Sequence, residues 1–205
     1  MKLYYAPGAC SLAPHIVARE AGLPVTLVKV DLSKYLTETG ENFRVVNPKG
    51  YVPAIALTDG SLLTEAAAII QYLADRQPEA GLAPANGTME RYRLIEWLTF
   101  ISSEIHKGFG PLWTPATPEP VKAATKERLA TRFAYLDEAL AKQPFLMGET
   151  FTIADAYLFT VVNWTNVHGI DISSFQNLSA FQSRVAARPK VQEALAAEGL
   201  LKQAA

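Results

Sequence analysis

The sequence predicts an α/β fold in its first part and an all-α fold in the remainder. Up to about residue 77, short strand-like apolar runs alternate with helical patterns, whereas from residue 89 onward apolar residues recur only at helical spacing. Between the two parts, residues 78–88 contain two prolines and two glycines, a composition typical of a linker.

The first part begins with a strand, a turn and a helix. Residues 2–6 are rich in aromatic side chains and predict a strand, and a helical pattern over residues 11–21 ends at Gly22. Residues 25–32, rich in valine and leucine, predict a second, buried strand. Because a βαβ unit needs a crossover connection, the two strands should pair in parallel. Residues 33–50 carry no clear pattern.

A β-hairpin and a further helix should complete the first part. Asp59 and Gly60 lie between two apolar runs, residues 53–58 and 61–63. Asp-Gly in this position predicts a tight hairpin turn in which both turn residues have positive φ. A helical pattern starts at Glu65.

The second part is a series of helical patterns. In residues 89–107, apolar residues at i, i+4, i+7 and i+11 predict one buried stripe. The members of this stripe are Leu94, Leu98, Ile101 and Ile105. After a proline-rich break, residues 121–141 form an amphipathic pattern, and Thr152 with Asp155 resembles a capping box. Further helical patterns cover residues 156–165, 178–187 and 191–195.

Composition and charge exclude several classes of protein. Apolar residues make up 49% of the chain and charged residues 19%, which favours a packed core over disorder. The net charge of -1 gives no reason to expect nucleic acid or an acidic membrane as a partner. The sequence contains neither a signal-peptide pattern nor an apolar run of about 20 residues, so we expect a cytoplasmic protein that does not span a membrane.

Cys10 is the only cysteine, which excludes a Cys-x-x-Cys pair and a multi-cysteine zinc site. It follows a strand and a Pro-Gly turn at the start of a helix, where N–H groups and the helix dipole would lower the pKa of a thiol. Alternatively, Cys10 is a small buried hydrophobic residue. We expect no metal, because no His/Asp/Glu spacing fits one, and the glycine motifs of nucleotide sites and serine hydrolases are missing.

Two further positions offer backbone groups suited to a peptide-like ligand. A cis bond before Pro53 would turn the N–H and C=O of Val52 outward, whereas a trans bond would leave a simple strand-entry proline. At the predicted helix start, the N–H groups of Glu65 and Ala66 would bind a carboxylate, and the Glu65 side chain would bind an ammonium group. Alternatively, Thr64 is a plain N-cap.

His106 lies on a polar face of the helical pattern over residues 89–107, together with Thr99 and Ser103. This face differs from the apolar stripe, so it faces water, a cleft or a partner subunit. The pKa range of histidine suits a proton carrier or a donor to a thiolate. The alternative interpretation is a solvated surface histidine.

Five segments, taken together and in this order, resemble the bacterial beta-class glutathione transferases. They read KLYYAPGACSL at residues 2–12, NPKGYVP at 47–53, LTE at 63–65, EIHK at 104–107 and FTIADAYL at 151–158. The resemblance runs nearly from end to end of the chain. It implies a thioredoxin-like domain at residues 1–77, a linker at 78–88 and an all-helical domain at 89–205.

The resemblance also implies a homodimer that binds glutathione, as a co-substrate, mainly on its first domain. Cys10 would then lie near the glutathione sulfur and be able to form a mixed disulfide with it. Val52, before a cis Pro53, would pair with the cysteinyl backbone of glutathione. Glu65 and Ala66 would hold its γ-glutamyl end.

Residues of the helical domain complete the site that the resemblance implies. His106 and Lys107 border the sulfur and the electrophile pocket, while Thr99, Ser103 and Glu104 lie on the helix that reaches glutathione from the neighbouring subunit.

Two positions depart from the family pattern. Tyr35 stands where relatives often have a lysine for the glycyl carboxylate of glutathione, although Lys34 is adjacent. Thr99 stands where they often have asparagine. Both differences concern the affinity for glutathione.

The function that follows from the resemblance is a glutathione transferase for detoxification. Hydrogen bonds from Cys10 and His106 would lower the pKa of the glutathione thiol, and the thiolate would attack a small hydrophobic electrophile. The electrophile would lie against Phe109, Pro111 and Trp113, for which core packing is the alternative.

Two other functions stay open at this point. A thioredoxin-like scaffold with one helix-terminal cysteine also suits a glutathione-dependent thiol-disulfide reductase or peroxidase. A non-catalytic protein that binds hydrophobic ligands is the second alternative.

Overall fold

The computed structural model describes residues 1–201, which form two compact units. The first comprises Met1–Ala83 together with the described residues from Ala187 onward, and the second is Pro84–Ala186. The expected domain at residues 89–205 therefore differs at its C-terminal end, because the helix at Pro189–Ala197 packs against the helix at Leu12–Glu20. Residues 202–205 of that expected domain lie outside the described residues.

The first unit contains a five-stranded mixed sheet. Its strands are β1 (Lys2–Tyr5), β2 (Thr26–Asp31), β3 (Leu36–Thr37), β4 (Ala54–Ala56) and β5 (Leu62–Thr64). They lie in the order β3-β2-β1-β4-β5. β1 and β2 pair in parallel, as the predicted βαβ unit requires, and the other neighbours pair antiparallel.

Helices account for most of the remaining chain. In chain order they are α1 (Leu12–Glu20), α2 (Phe43–Val46), α3 (Ala66–Arg76), α4 (Met89–Phe100), α5 (Gly110–Trp113), α6 (Glu119–Leu140), α7 (Ile153–Val162), α8 (Trp164–His168), α9 (Gln176–Ala186) and α10 (Pro189–Ala197). A 3-10 turn at Pro78–Ala80 lies in the predicted linker. The core of the first unit joins sheet and helices, since Leu3, Ile16, Ile55 and Ile69 are all fully buried.

The β4–β5 hairpin is confirmed, but its turn differs from the prediction. Gly60 has φ 86°, whereas Asp59 has no positive φ. The N–H of Leu57 donates to the carbonyl of Ser61 at 2.8 Å, which leaves three residues, 58–60, in the loop rather than two. A three-residue loop needs positive φ only at its last position, where the glycine stands.

The buried stripe of the second unit is confirmed, although the helix that carries it is not regular. All four stripe residues have at most 1% of their surface exposed. After α4, Ile101–His106 form a π-helical turn, in which the N–H of Lys107 donates to the carbonyl of Ser102. Lys107–Phe109 then tighten to a 3-10 turn. Apolar spacing cannot reveal such a change of pitch, and π-turns are frequent at functional sites.

The predicted capping box at the start of α7 is present. The carboxylate of Asp155 accepts hydrogen bonds from the N–H and the hydroxyl of Thr152 and from the N–H of Leu146. Asp155 is fully buried, and burial raises its pKa from 3.8 to about 6.

In the part of the chain that the structure describes, every helix is too short or too polar to cross a bilayer.

Candidate functional site

Cys10 lies in the turn between β1 and α1, at the predicted position. Cys10 as a whole residue keeps some exposed surface, and its Sγ donates a hydrogen bond to the carbonyl oxygen of Val52 at 3.2 Å. Two predicted site residues, 42 positions apart in the chain, are therefore in direct contact. The thiol therefore has a backbone carbonyl as its polar partner.

The low pKa predicted for Cys10 is wrong. Burial raises the pKa of the thiol from 9.0 to about 12, and the charge of Glu65 adds to this effect. The backbone N–H groups of Cys10 and Ser11 lower the pKa, but by less than burial raises it. The side chain is therefore a protonated thiol at neutral pH, which makes it a hydrogen-bond donor rather than a nucleophile.

Ser11 fastens the turn to the end of β1. Its hydroxyl accepts from the N–H of Ala6 at 3.1 Å and donates to the carbonyl of the same residue at 3.2 Å. Ser11 is fully buried and makes no capping hydrogen bond to α1. Its hydroxyl is therefore committed to the backbone on one side of Cys10.

A buried network from the end of the chain holds the other side of the turn. Glu198, directly after α10, accepts from the N–H of Gly8 at 3.0 Å and pairs with Nδ1 of His15 at 2.9 Å. Nε of Arg19 donates to Nε2 of His15 at 3.0 Å. Because Nε2 accepts this bond, the hydrogen-bond pattern assigns a neutral imidazole whose proton lies on Nδ1 and is donated to Glu198. The loop before Cys10 is thus fixed by a carboxylate at the other end of the chain.

Val52 presents its backbone next to the thiol. The Val52–Pro53 peptide bond is cis, as the resemblance implies. The carbonyl of Val52 accepts the Cys10 thiol, while its N–H has no hydrogen-bond acceptor within residues 1–201. A peptide that approached this edge would find one unpaired donor and one acceptor on the same residue.

Glu65 precedes α3 in a rarely populated backbone conformation, with φ 70° and ψ 121°. Its side chain does not cap the helix, so the N–H of Ala66 lacks an intrahelical acceptor. The Glu65 carboxylate pairs instead with Nζ of Lys49 at 2.6 Å, and the Thr64 hydroxyl accepts from the same ammonium at 3.0 Å. An ammonium group thus occupies the place where we predicted that a ligand ammonium would bind.

Tyr35 also has positive φ, 55°. The Arg44 guanidinium lies 3.8 Å above the centre of its ring, and a Cβ atom at Gly50 would lie 2.9 Å from the ring edge. Lys34, the neighbouring cation, pairs with Asp31 at 3.2 Å. Arg44 therefore places a positive charge over the Tyr35 ring, which sequence reasoning missed.

His106 ends the π-helical turn of the second unit. Its Nδ1 lies 2.6 Å from the hydroxyl of Tyr157 on α7, and its ring meets the Trp164 ring edge-on with the centroids 5.0 Å apart. Tyr157 and Trp164 are buried, His106 is partly exposed and Lys107 is exposed. Tyr157 lies within the FTIADAYL segment, but sequence reasoning gave it no role.

Thr99, Ser103 and Glu104 lie along α4 and the π-helical turn. Thr99 and Ser103 are exposed, and their hydroxyls donate to backbone carbonyls four residues back. Glu104 pairs with Arg132 on α6 at 2.8 Å. This confirms an accessible polar face beside the buried stripe.

The three residues predicted for the electrophile pocket differ in exposure. Phe109 is fully buried, and its ring packs against Phe133 and Trp164 with centroid distances of 6.4 and 5.5 Å, which favours the core-packing interpretation for this residue. Trp113 is 48% exposed and Pro111 is partly exposed. Pro111 and Trp113 therefore remain the accessible members of the predicted pocket.

The predicted site residues are divided between the two units. Those in the first unit are Cys10, Tyr35, Val52, Pro53, Glu65 and Ala66. Those in the second unit are Thr99, Ser103, Glu104, His106, Lys107, Phe109, Pro111 and Trp113. Across residues 1–201, no group of three or more His, Cys, Asp or Glu side chains is arranged to hold a metal ion.

Comparison with known proteins identifies both parts of the chain. The family model for the glutathione S-transferase N-terminal domain matches residues 8–76, and that for the C-terminal domain matches residues 97–189. The chain is 50% identical over 200 residues to the glutathione S-transferase GstA of Escherichia coli O157:H7, covering 98% of this chain and all of that relative.

Solved structures show the same fold. A bacterial beta class glutathione S-transferase of Sphingomonas chungbukensis matches with a TM-score of 0.95 and 48% identity, covering 98% of this chain and 100% of that one. A sphingomonad glutathione S-transferase complexed with glutathione matches with the same TM-score, identity and coverage. These matches confirm both the predicted two-part fold and the resemblance. The chain belongs to the bacterial beta class of the glutathione S-transferase family.

Proposed function

We propose that this chain is a glutathione transferase that joins the glutathione sulfur to small hydrophobic electrophiles. The observation that carries the proposal is the contact between a protonated thiol, Cys10, and the carbonyl of Val52, whose N–H is unpaired. The residue of a peptide that pairs with the Val52 backbone would lie beside Cys10. In glutathione, the residue so placed is the cysteine that carries the reacting sulfur.

The γ-glutamyl end of glutathione fits the start of α3. Its ammonium group would replace that of Lys49 on the Glu65 carboxylate, and its carboxylate would accept from the N–H of Ala66 at the positive end of the helix dipole. The contact between Lys49 and Glu65 supports this proposal, because it demonstrates that an ammonium group can reach the carboxylate.

Tyr35 and Arg44 are our candidates for the glycyl end. The relatives' lysine is replaced by a tyrosine ring, and the Arg44 guanidinium of α2 supplies a positive charge over that ring. A guanidinium also presents several N–H donors to a carboxylate.

Activation of the glutathione thiol requires donors that favour its thiolate form. Cys10 retains its own proton and donates it in a hydrogen bond, which lowers the pKa of the glutathione thiol. From the resemblance we assign a second donor, Nε2 of His106, with Nδ1 held by Tyr157. The glutathione thiol loses its proton to solvent, the thiolate forms a bond to the electrophilic carbon, and the leaving group departs with the electron pair of the broken bond.

We assign the electrophile to apolar surface of the helical unit. Pro111 and Trp113 are accessible there, and Trp113 packs edge-on against Trp164 with the centroids 5.4 Å apart. Phe109 supports these rings from within the core. Broad apolar contact suits detoxification of varied hydrophobic compounds.

We further propose a homodimer in which the exposed face of Thr99 and Ser103 meets the neighbouring subunit. Glu104, already paired with Arg132, would lie on the same helix. Exposure of this face in a single chain supports the proposal.

Thiol-disulfide exchange through Cys10 is less well supported. A mixed disulfide forms by attack of a thiolate, and burial raises the pKa of Cys10 to about 12.

Two measurements on the native protein test the proposal. Calorimetry should detect binding of glutathione, and steady-state assays should detect its conjugation to a chloronitrobenzene. Binding without turnover of any electrophile would favour the ligand-binding alternative, and absence of binding would overturn the proposed function. Reduction of a glutathione mixed disulfide without conjugation would favour the redox alternative.

A further inference from the structure

We propose that, in the ligand-free protein, the Val52 carbonyl accepts the hydrogen bond of the Cys10 thiol. An amide of a bound peptide replaces the thiol at this carbonyl, and the thiol then donates its hydrogen bond to the sulfur of the peptide. The inference rests on the proposed function and adds a step to it. Cys10 would become a donor to the ligand sulfur only when the ligand backbone is in place.

The direction of the resting hydrogen bond is fixed by chemistry. A carbonyl oxygen only accepts, so Cys10 must donate across the 3.2 Å that separates Sγ from the Val52 oxygen. The neighbouring hydroxyl of Ser11 is committed to Ala6. The N–H of Gly8 is committed to Glu198. The turn is therefore held on both sides while the thiol bonds to the carbonyl.

Once a peptide binds, a stronger hydrogen-bond donor than the thiol is available to the Val52 carbonyl. At a hydrogen-bonded position of an antiparallel pair, one residue uses both its N–H and its C=O with the residue opposite. An amide N–H is a better donor than a thiol, which donates weakly. A peptide that satisfies the unpaired N–H of Val52 therefore brings an amide that competes directly with Cys10 for the carbonyl.

The displaced thiol needs a new acceptor. The ligand residue that pairs with Val52 is the one that carries the sulfur, and a thiolate there accepts a charge-assisted hydrogen bond. No covalent bond changes in this step, since Cys10 keeps its proton and only the acceptor differs. The raised pKa of Cys10 agrees with this role, because a thiolate could not donate.

The S–H stretching band in the infrared spectrum tests the inference on the native protein. Cys10 is the only cysteine, so the band has a single source, and Cys10→Ser serves as the control that removes it. In the ligand-free protein the band should lie below that of an alkanethiol in a hydrocarbon solvent, as expected for a hydrogen-bonded thiol.

Two thiol-free probes separate loss of the old acceptor from gain of the new one. S-methylglutathione offers the backbone amide but only a weakly accepting thioether, so the band should move to higher frequency. Glutathione sulfonate places an anion at the sulfur position, so the band should move below its resting frequency.

Calorimetry of both probes distinguishes the possible failures. A band that stays in place although the probes bind would overturn the exchange of acceptors and leave the proposed function standing. A failure of both probes to bind would overturn the proposed function and the exchange together. A ligand-free band at the frequency of a free thiol would overturn the resting hydrogen bond.

Discussion

Cys10 and His106 differ in the kind of group that contacts them. Around Cys10 the partners are mainly backbone groups, fixed by a buried carboxylate from the other end of the chain, Glu198. Around His106 the partners are side chains of neighbouring helices, Tyr157 and Trp164. The first arrangement depends on the fold of a whole unit, whereas the second depends on a few side-chain contacts. Substitutions should therefore cost stability at the first and reaction rate at the second.

Glu198→Gln should have the largest effect. The Glu198 side chain is fully buried and accepts hydrogen bonds from Nδ1 of His15 and from the N–H of Gly8, so a glutamine amide would leave one of these two donors without its charged acceptor. The free energy of unfolding in urea should fall by about 3 kcal/mol, as expected for the loss of a buried hydrogen bond to a charged group. Glu193→Gln is the matched control, because Glu193 is 44% exposed and also pairs with Arg19. Equal losses in both variants would contradict the structural role of the buried network.

Asp155 should make the start of α7, which carries Tyr157, sensitive to pH. Its pKa is raised from 3.8 in the unfolded chain to about 6 in the fold, so the folded state binds the proton more tightly. The resulting stability is complete below pH 3.8 and is lost as the pH rises through 6. At about 1.4 kcal/mol per pH unit, the full contribution is about 3 kcal/mol.

Asp155→Asn should lack this pH dependence. The difference in unfolding free energy between the native protein and Asp155→Asn should shrink by about 2 kcal/mol between pH 4 and pH 8. Asp171→Asn is the control, since Asp171 is exposed and its pKa is lowered by hydrogen bonds from Ser173. A difference that stays constant with pH would show that Asp155 is ionised throughout.

Tyr157→Phe should reduce the reaction rate more than the stability. The variant removes the hydroxyl that lies 2.6 Å from Nδ1 of His106, and loss of a hydrogen bond of about 1.4 kcal/mol corresponds to a tenfold lower kcat. The KM for glutathione should change little. Tyr135→Phe, at a residue 52% exposed on α6, should behave like the native protein. An unchanged kcat in Tyr157→Phe would contradict the proposal that Tyr157 positions His106 for the reaction.

Lys49→Met should have the smallest effect, and in the opposite direction. Lys49 and Glu65 form an exposed ion pair, and such pairs contribute at most about 1 kcal/mol. Freeing Glu65 for the glutathione ammonium should lower the KM for glutathione by about twofold to fivefold. Lys142→Met, at an exposed lysine of the second unit, provides the control. A higher KM would mean that Lys49 assists binding instead of competing for Glu65.

Local patterns predicted much of the fold. Parallel pairing of β1 with β2, the hairpin, the buried stripe and the capping box all depend on residues close in sequence or on simple periodicity. The π-helical turn before His106 was missed because a change of pitch leaves the apolar spacing nearly intact.

The candidate site was less predictable, because its decisive contacts are distant in sequence. Nothing near Cys10 in the sequence indicates that the Val52 carbonyl accepts a hydrogen bond from its thiol or that Glu198 anchors its loop. The pKa of Cys10 was predicted in the wrong direction, since burial is a property of the whole fold and outweighs the nearby N–H groups. Tyr157 also needed the fold to bring α7 to His106.

The pH dependence of kcat/KM for conjugation, measured in the native protein, Cys10→Ser and Cys10→Ala, tests the donor role of Cys10. Serine keeps an O–H donor, so its midpoint should lie close to that of the native protein. Alanine removes the donor, so its midpoint should rise by about one pH unit, the equivalent of a hydrogen bond to a charged group. Identical midpoints in all three proteins would contradict activation of the glutathione thiol by Cys10.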